Sequence, residues 1–110
     1  MCGISGFHLN SNYPEKEKIL RIMNEKLSHR GPDGEGYYFD NNVYLSHKRL
    51  AIIDLNKRSD QPFIDESQQY IITFNGEIYN YLELKKILTD DGFNFKTTSD
   101  TEVLLNSYIR

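Results

Sequence analysis

No apolar run in this sequence exceeds a few residues, Leu50-Ala51-Ile52-Ile53 being typical, and the spacing of apolar positions switches repeatedly between two and 3.6. A period of two marks a half-buried strand and a period of 3.6 a helix with one apolar stripe, so the fold must be layered from both. Residues 2–10 (CGISGFHLN) alternate, with Ile4 on one face and Phe7 and Leu9 on the other. A strand therefore begins at the very start of the chain. Gly3 and Gly6 within it imply close approach of another backbone or of a ligand. Ser11-Asn12-Tyr13-Pro14 reads as a turn, and Pro14 suits a first helical turn. Behind it Ile19, Leu20, Met23 and Leu27 share a helix face, with Ile22 adjacent. The helix is predicted to stop near Ser28, before the punctuated loop His29-Arg30-Gly31-Pro32-Asp33-Gly34.

Residues 36–40 and 43–48 read as strands joined by Asn41-Asn42, a two-residue turn tolerant of positive φ. The apolar run of residues 50–55 continues or follows the second strand. Gln61-Pro62-Phe63 breaks the pattern, and Asp65-Glu66-Ser67 reads as a surface loop. Residues 69–75 form another predicted strand, with Tyr70, Ile72 and Phe74 facing one way. After the sharp turn Asn75-Gly76-Glu77, Asn80 and Glu83 have capping-box spacing for a helix striped by Tyr81, Leu84 and Leu88 and ended by Asp91-Gly92. A short extended piece, residues 93–96, leads to a second capping signal, Ser99-Asp100-Thr101-Glu102. The last helix carries Leu104, Leu105, Tyr108 and Ile109 and meets no stop signal before Arg110, so the sequence is expected to be cut inside or just after it. This order predicts an α+β domain with a mostly antiparallel sheet, helices for one sheet face and nothing obvious for the other.

At 110 residues and 12.9 kDa, the chain should expose about 6,300 Å² when folded against about 18,700 Å² unfolded, enough burial for one core and too little for two. Hydrophobic residues make up 38% and charged residues 26%, which fits neither a disordered chain nor a membrane protein. The short apolar runs offer no transmembrane helix, and the Gly, Ser, His and Asn of the first fifteen residues lead us to expect no signal peptide. A formal charge of −3 without a basic cluster argues against a nucleic-acid partner. A soluble, cytoplasmic protein is expected.

The single cysteine cannot make an internal disulfide or a Cys-rich zinc site, and a lone cysteine is ordinarily a small buried hydrophobe. Its position directly behind Met1 opens a second role. With Met1 removed, Cys2 owns a thiol and a free α-amine whose ordinary pKa is about 7.7–8. That amine can take the thiol proton directly or through one water, so the residue supplies its own base. A retained Met1 would acylate the amine and leave a precursor or an inactive form. The alternative, a Cys–His pair using His8, His29 or His47, has no spacing support. A metal site from His29, Asp33 and His47 likewise lacks ligand spacing, so none is expected, and His8 and His47 read as satisfied histidines on strands.

Five motifs occur in order: Met-Cys-Gly-Ile-Ser-Gly-Phe at the start, His-Arg-Gly-Pro-Asp-Gly at 29–34, Ser-His-Lys-Arg-Leu-Ala-Ile-Ile-Asp-Leu at 46–55, Asn-Gly-Glu-Ile-Tyr-Asn at 75–80, and Ser-Asp-Thr-Glu-Val at 99–103. The set resembles the glutaminase domain of the asparagine synthetase family, which belongs to the N-terminal-nucleophile, class II glutamine amidotransferases. Pro32 and the segment around Arg49 favour that branch over the amidophosphoribosyltransferase and glucosamine-phosphate synthase branches. The resemblance implies the N-terminal portion of an αββα sandwich. It implies that Cys2 attacks the side-chain amide of L-glutamine, releases ammonia and leaves a thioester for water. Asn75, through its side-chain NH2, and Gly76, through its backbone N–H, would hold the oxyanion, each such donor being worth about 2.7–4 kcal/mol. An Asn-Gly pair is ordinarily a hairpin turn, but here a helix cap follows where a returning strand should be.

Arg49 matches the family's carboxylate-binding arginine, a role that a planar guanidinium fills bidentately and Lys48 could not. Asp100 matches the acidic partner of the α-ammonium, and as a helix N-terminal carboxylate it has a structural role that coincides with it. Glu77 is carried over as a second contact to the amino end. Leu50, Ala51, Ile52 and Ile53 match the stretch lining the glutamine pocket, while their pattern alone says core. Residues 29–33 are expected to close over substrate or brace the pocket. Residues 1–110 would be a partial type-2 amidotransferase domain lacking its later strands. The synthetase domain would also be absent, and with it the ATP and Mg that its chemistry implies; no cofactor is expected in this chain. The ammonia acceptor in the full-length protein would be aspartate, with a homodimer left open. The competing expectations are a non-catalytic amidotransferase-like segment, and a relative with another acceptor.

Overall fold

The computed structural model describes residues 2–10, 13–50 and 60–110. Strands β1 (Gly3–His8), β2 (Gly34–Phe39) and β3 (Val43–Arg49) make an antiparallel sheet in the order β1-β3-β2, with the longest strand central. A two-stranded antiparallel sheet pairs β4 (Phe63–Ile64) with β5 (Ile71–Ile72). Three helices complete the described residues: α1 (Lys16–Glu25), α2 (Tyr81–Asp90) and α3 (Asp100–Ile109). The class is α+β and its ladders are antiparallel, as the periodicity predicts.

Register decides what each face of the larger sheet carries. Phe7 and Phe39 both stand level with Tyr44, and Ser5 and Tyr37 with Ser46. This face is aromatic, with the Phe7 ring stacked on Tyr44 at 5.1 Å between centroids. Helix α1 covers it. Asn24 Nδ2 donates to the Tyr37 hydroxyl at 3.2 Å, and the Arg21 guanidinium lies 4.6 Å from the centre of the Tyr37 ring. Leu20 and Asn24, one turn apart, are fully buried, while Ile22 is 52% exposed. The regular helix ends at Glu25, and tighter turns carry the chain on to Arg30. Leu27 presses onto β1 there: a Cβ at position 3 would sit 2.9 Å from Leu27 Cβ, which explains one glycine of the opening strand.

The other face holds Ile4, His47 and Gly36 in one row. The sequence shows no layer for it, yet the chain supplies one from the flanks of the small sheet. The Gln61 carbonyl oxygen would lie 1.9 Å from a Cβ at position 36, so only glycine lets that backbone pass. His47 Nε2 meets the Phe74 carbonyl oxygen at 3.2 Å. The second layer thus leans on the first through main chain. Helix α3 packs on β5, and α2 packs on α3.

Several local expectations change. The Asn41-Asn42 hairpin forms, closed by the Asp40 N–H to the Val43 carbonyl at 3.0 Å, but neither asparagine has positive φ. Asp40 Oδ1 accepts the N–H groups of Asn42 and Val43, and these bonds hold its carboxyl below the usual carboxylate range. Phe63–Ile64 is a strand rather than part of a break, and Asp65-Glu66-Ser67 is its hairpin connection. The strand predicted over 69–75 shrinks to Ile71–Ile72 because side chains replace its ladder. The Asp65 carboxylate takes the Gln69 and Tyr70 N–H groups, and Gln61 takes that of Phe74. Asn80 makes no side-chain cap, whereas Ser99 Oγ accepts the Thr101 N–H at 3.1 Å as its spacing predicts. Of the apolar residues on the last helix, Leu105 is buried together with Val103, while Tyr108 is 78% exposed.

Among the described residues, buried polar side chains outnumber buried apolar ones. The chain exposes 7051 Å², above the roughly 6,300 Å² expected for its mass, and its radius of gyration is 14.6 Å against about 13 Å for its length. The apolar core is thin. Much of the order comes from paired buried polar groups, which are costly to leave unmatched.

Candidate functional site

Cys2 lies just ahead of β1. Gly3 pairs with Lys48 and Gly34 pairs with Arg49, so continuing the β1 register by one step brings Cys2 level with Arg49. Cys2, Ile4, His47 and Arg49 consequently share the face opposite α1. The Leu50 N–H donates to Cys2 Sγ at 3.2 Å, and the sulfur lies 3.6 Å from the Leu50 carbonyl oxygen. The thiol is half-buried and its direction is fixed by main chain at the end of β3. Met1, Ala51, Ile52 and Ile53 lie outside the described residues.

The loop before β2 clasps the same corner. Arg30 Nε donates to the Cys2 carbonyl at 3.1 Å, and the Asp33 N–H donates to the Arg49 carbonyl at 2.9 Å. One short loop therefore ties the first residue of the sheet to the last residue of its central strand. Arg49 is only 8% exposed, and its Nη1 donates to Asp60 Oδ1 at 2.8 Å. The Asp60 side chain stays 24% exposed, so the pair is buried on the arginine side only. Here it holds the guanidinium on the Cys2 face.

Asn75, Gly76 and Glu77 form the turn after β5, with Asn75 half-buried and the other two exposed. Both flanks of this turn are tied. On one side His47 Nε2 meets the Phe74 carbonyl; on the other the Ile78 N–H donates to Asp100 Oδ2 at 2.9 Å. Asp100 is buried at the first position of α3, behind the Ser99 cap. The structure thus brings Asp100 onto the Asn75–Glu77 turn, and brings Arg49 and Leu50 to Cys2. The two halves are joined through the His47–Phe74 contact. Among the described hydrogen bonds none runs directly from Cys2 to Asn75 or Gly76.

His47 departs from its sequence reading as a satisfied strand histidine, because its buried Nδ1 has no partner among the described residues. Burial pushes its imidazole below the ordinary histidine range; the Phe74 carbonyl opposes this, nearby Arg49 adds to it and Asp60 opposes it. The neutral ring donates from Nε2 to the carbonyl. Asp60 and Gln61 are neighbours of this corner that sequence reasoning passed over: Gln61 entered only in the break Gln61-Pro62-Phe63 and Asp60 not at all, while Arg30 lies in the loop expected to brace the pocket. No cluster of three or more His, Cys, Asp and Glu side chains among the described residues could hold a metal ion, and no helix there is long and apolar enough to cross a membrane.

Comparison with known proteins matches this sequence to a family. The model of the glutamine amidotransferase domain matches residues 1–110. Asparagine synthetase [glutamine-hydrolyzing] 1 of Bacillus subtilis (strain 168) is 44% identical across 98% of this chain and 17% of its own length. Asparagine synthetase [glutamine-hydrolyzing] 1 of Arabidopsis thaliana is 41% identical across 98% of the chain and 18% of its own length. The corresponding enzyme of Sandersonia aurantiaca is 43% identical across 98% of the chain and 20% of its own length. The chain spans no more than a fifth of the length of these relatives. On this footing it belongs to the glutamine amidotransferase domain family, and its relatives are glutamine-hydrolysing asparagine synthetases.

Proposed function

We propose that this domain hydrolyses the side-chain amide of L-glutamine to glutamate and ammonia through a thioester on Cys2. We further propose that the ammonia serves asparagine synthesis from aspartate in a longer protein. The observation that carries the reading is the thiol fixed by the Leu50 N–H beside the buried Arg49, in a chain of this family. Cys2 Sγ would form a bond to the amide carbon while the α-amine of Cys2 takes the thiol proton. Breaking the C–N bond passes that proton to the departing ammonia. Water then attacks the thioester carbon, glutamate leaves, and the thiol regains its proton.

The oxyanion forms only in the attack and again in hydrolysis, so donors aimed at it raise kcat more than they lower KM. Asn75 Nδ2 and the Gly76 N–H are the donors we assign. Arg49 would grip the α-carboxylate, with Asp60 keeping the guanidinium oriented. Asp100 and Glu77 would receive the α-ammonium, and Leu50, Ala51, Ile52 and Ile53 would line the pocket. We take residues 1–110 to be the N-terminal portion of an αββα sandwich, a reading supported by the packing of α1 on the three-stranded sheet and of α3 on β5. ATP and Mg belong in this reading to a synthetase domain, not to any residue of this chain. A cytoplasmic location fits the substrate.

The test is made in the full-length protein with Met1 removed. A glutamine-mimicking diazoketone should label Cys2 stoichiometrically, and ammonia should appear from glutamine. Cys2→Ala should abolish turnover while glutamine still raises the thermal midpoint. Ammonia release that survives the substitution refutes the proposal.

A further inference from the structure

The residue before the Asn75-Gly76 turn is gripped at both ends of its own peptide units. The Phe74 N–H donates to Gln61 Oε1, and the Phe74 carbonyl accepts from His47 Nε2 at 3.2 Å. Gln61 is 7% exposed and His47 fully buried, so neither side chain has water to turn to. The other arm of the Gln61 amide, Nε2, donates at 3.0 Å to Thr101 Oγ1, itself buried in the first turn of α3. One residue earlier, Asp100 holds the Ile78 N–H. The turn is therefore bracketed two residues before Gly76 and two residues after it, and both brackets end on the first turn of α3.

We propose that Gln61 and His47 are positioning residues for the oxyanion turn, fixing through Phe74 where Asn75 and Gly76 aim their donors. This rests on the reading of Asn75 and Gly76 as those donors. The chemistry of the clamp is specific. A backbone N–H can only donate, which fixes Oε1 as the atom facing Phe74 and leaves Nε2 for the threonine hydroxyl. Methionine has the length of glutamine but offers neither bond. A buried glutamate would replace the amide with a charge and lose the Nε2 donor to Thr101. Donor placement matters because a displacement of about 1 Å at a reacting centre can cost about a hundredfold in rate.

The experiment measures glutamine hydrolysis, Cys2 labelling and amide exchange in the full-length protein. Gln61→Met and Thr101→Val are expected to lower kcat by about 10- to 100-fold with KM within about twofold, since the lost stabilisation exists only in the transition state. Thr101→Ser keeps the hydroxyl and should restore the rate. The Phe74 N–H should exchange faster in Gln61→Met, beyond any change in global stability. Thr101→Val is nearly isosteric and keeps the test alive if Gln61→Met fails to fold. A raised KM with intact kcat, equal rates in Thr101→Val and Thr101→Ser, or a Phe74 amide as protected as before would each overturn the proposal. If the unmodified protein neither labels nor hydrolyses glutamine, the functional reading itself fails and takes this role with it. An active parent with unaffected variants sinks the clamp alone.

Discussion

The two faces of the three-stranded sheet are built on different principles. Toward α1 the sheet presents rings, and the helix answers with the Arg21 guanidinium and the Asn24 amide, so the contact is made between side chains. Toward the small sheet it presents glycine, a histidine, an arginine and the Cys2 thiol. There the contact is main chain against main chain, joined by a few directed bonds. Side-chain packing tolerates swaps that conserve volume, because neighbours can repack. Backbone contact has no such freedom. The face that must hold reacting groups in register is the one with the least room to adjust.

The sharpest way to break this contrast is Gly36→Val. Strand propensity alone favours valine at this position. The Gln61 carbonyl lying 1.9 Å from the site of a Cβ says the opposite. The expected outcome is loss of a cooperative urea transition, and of glutamine hydrolysis with it, since the displaced segment carries Gln61. A variant as stable as the parent would show that the two layers do not touch there. On the opposite face, Leu20→Ala should cost about 2–5 kcal/mol by denaturant titration, because Leu20 is completely buried, yet leave kcat and KM of the folded fraction unchanged. A changed KM would mean that the faces are coupled more tightly than their contacts suggest.

Arg49→Lys comes next in size. Asp60 would still find a cation, so the fold should hold, but the planar fork is lost. The expected result is a KM for glutamine raised about tenfold or more with kcat changed less. A lowered kcat at unchanged KM would move Arg49 from substrate binding to the chemistry.

The same contrast explains what could be read in advance. Period-two and 3.6 patterns gave the α+β class, α1 and the β2–β3 hairpin, because those depend on side-chain pattern and on turns a few residues long. The Ser99 cap was legible for the same reason. The buried side of α3 was not. It carries Asp100, Thr101 and Glu102, matched by Gln61, by Thr97 and by backbone N–H groups, and a binary pattern assigns such residues to solvent. The strand β4 escaped because two residues have no period, β5 was read too long at 69–75, and the Asp65 carboxylate that shapes their hairpin looked like an ordinary surface acid. Cys2 and Arg49 drew attention through motifs. His47 stood inside one of those motifs and Gln61 outside all of them, and their grip on Phe74 is a contact between residues distant in sequence.

The smallest expected effect is the most diagnostic for His47. Its folded pKa lies below the ordinary value of about 6.5, so under mildly acid conditions the unfolded chain binds a proton that the folded chain refuses. The stability held by neutral His47 is complete above about pH 6.5 and declines as pH falls toward the depressed folded value. Protonation in place would put a cation among the groups that face the ring: the Arg49 guanidinium, the Asp60 carboxylate and the Phe74 carbonyl. Thermal midpoints measured between about pH 7.5 and 5.5 should fall more steeply for the parent than for His47→Gln, which keeps a donor for Phe74 but cannot titrate. His47→Gln should be less stable at the upper end of that range and nearly level across it. Parallel slopes would mean that another group carries the acid sensitivity, and that the ring beside Phe74 can be charged without disturbing the turn it holds.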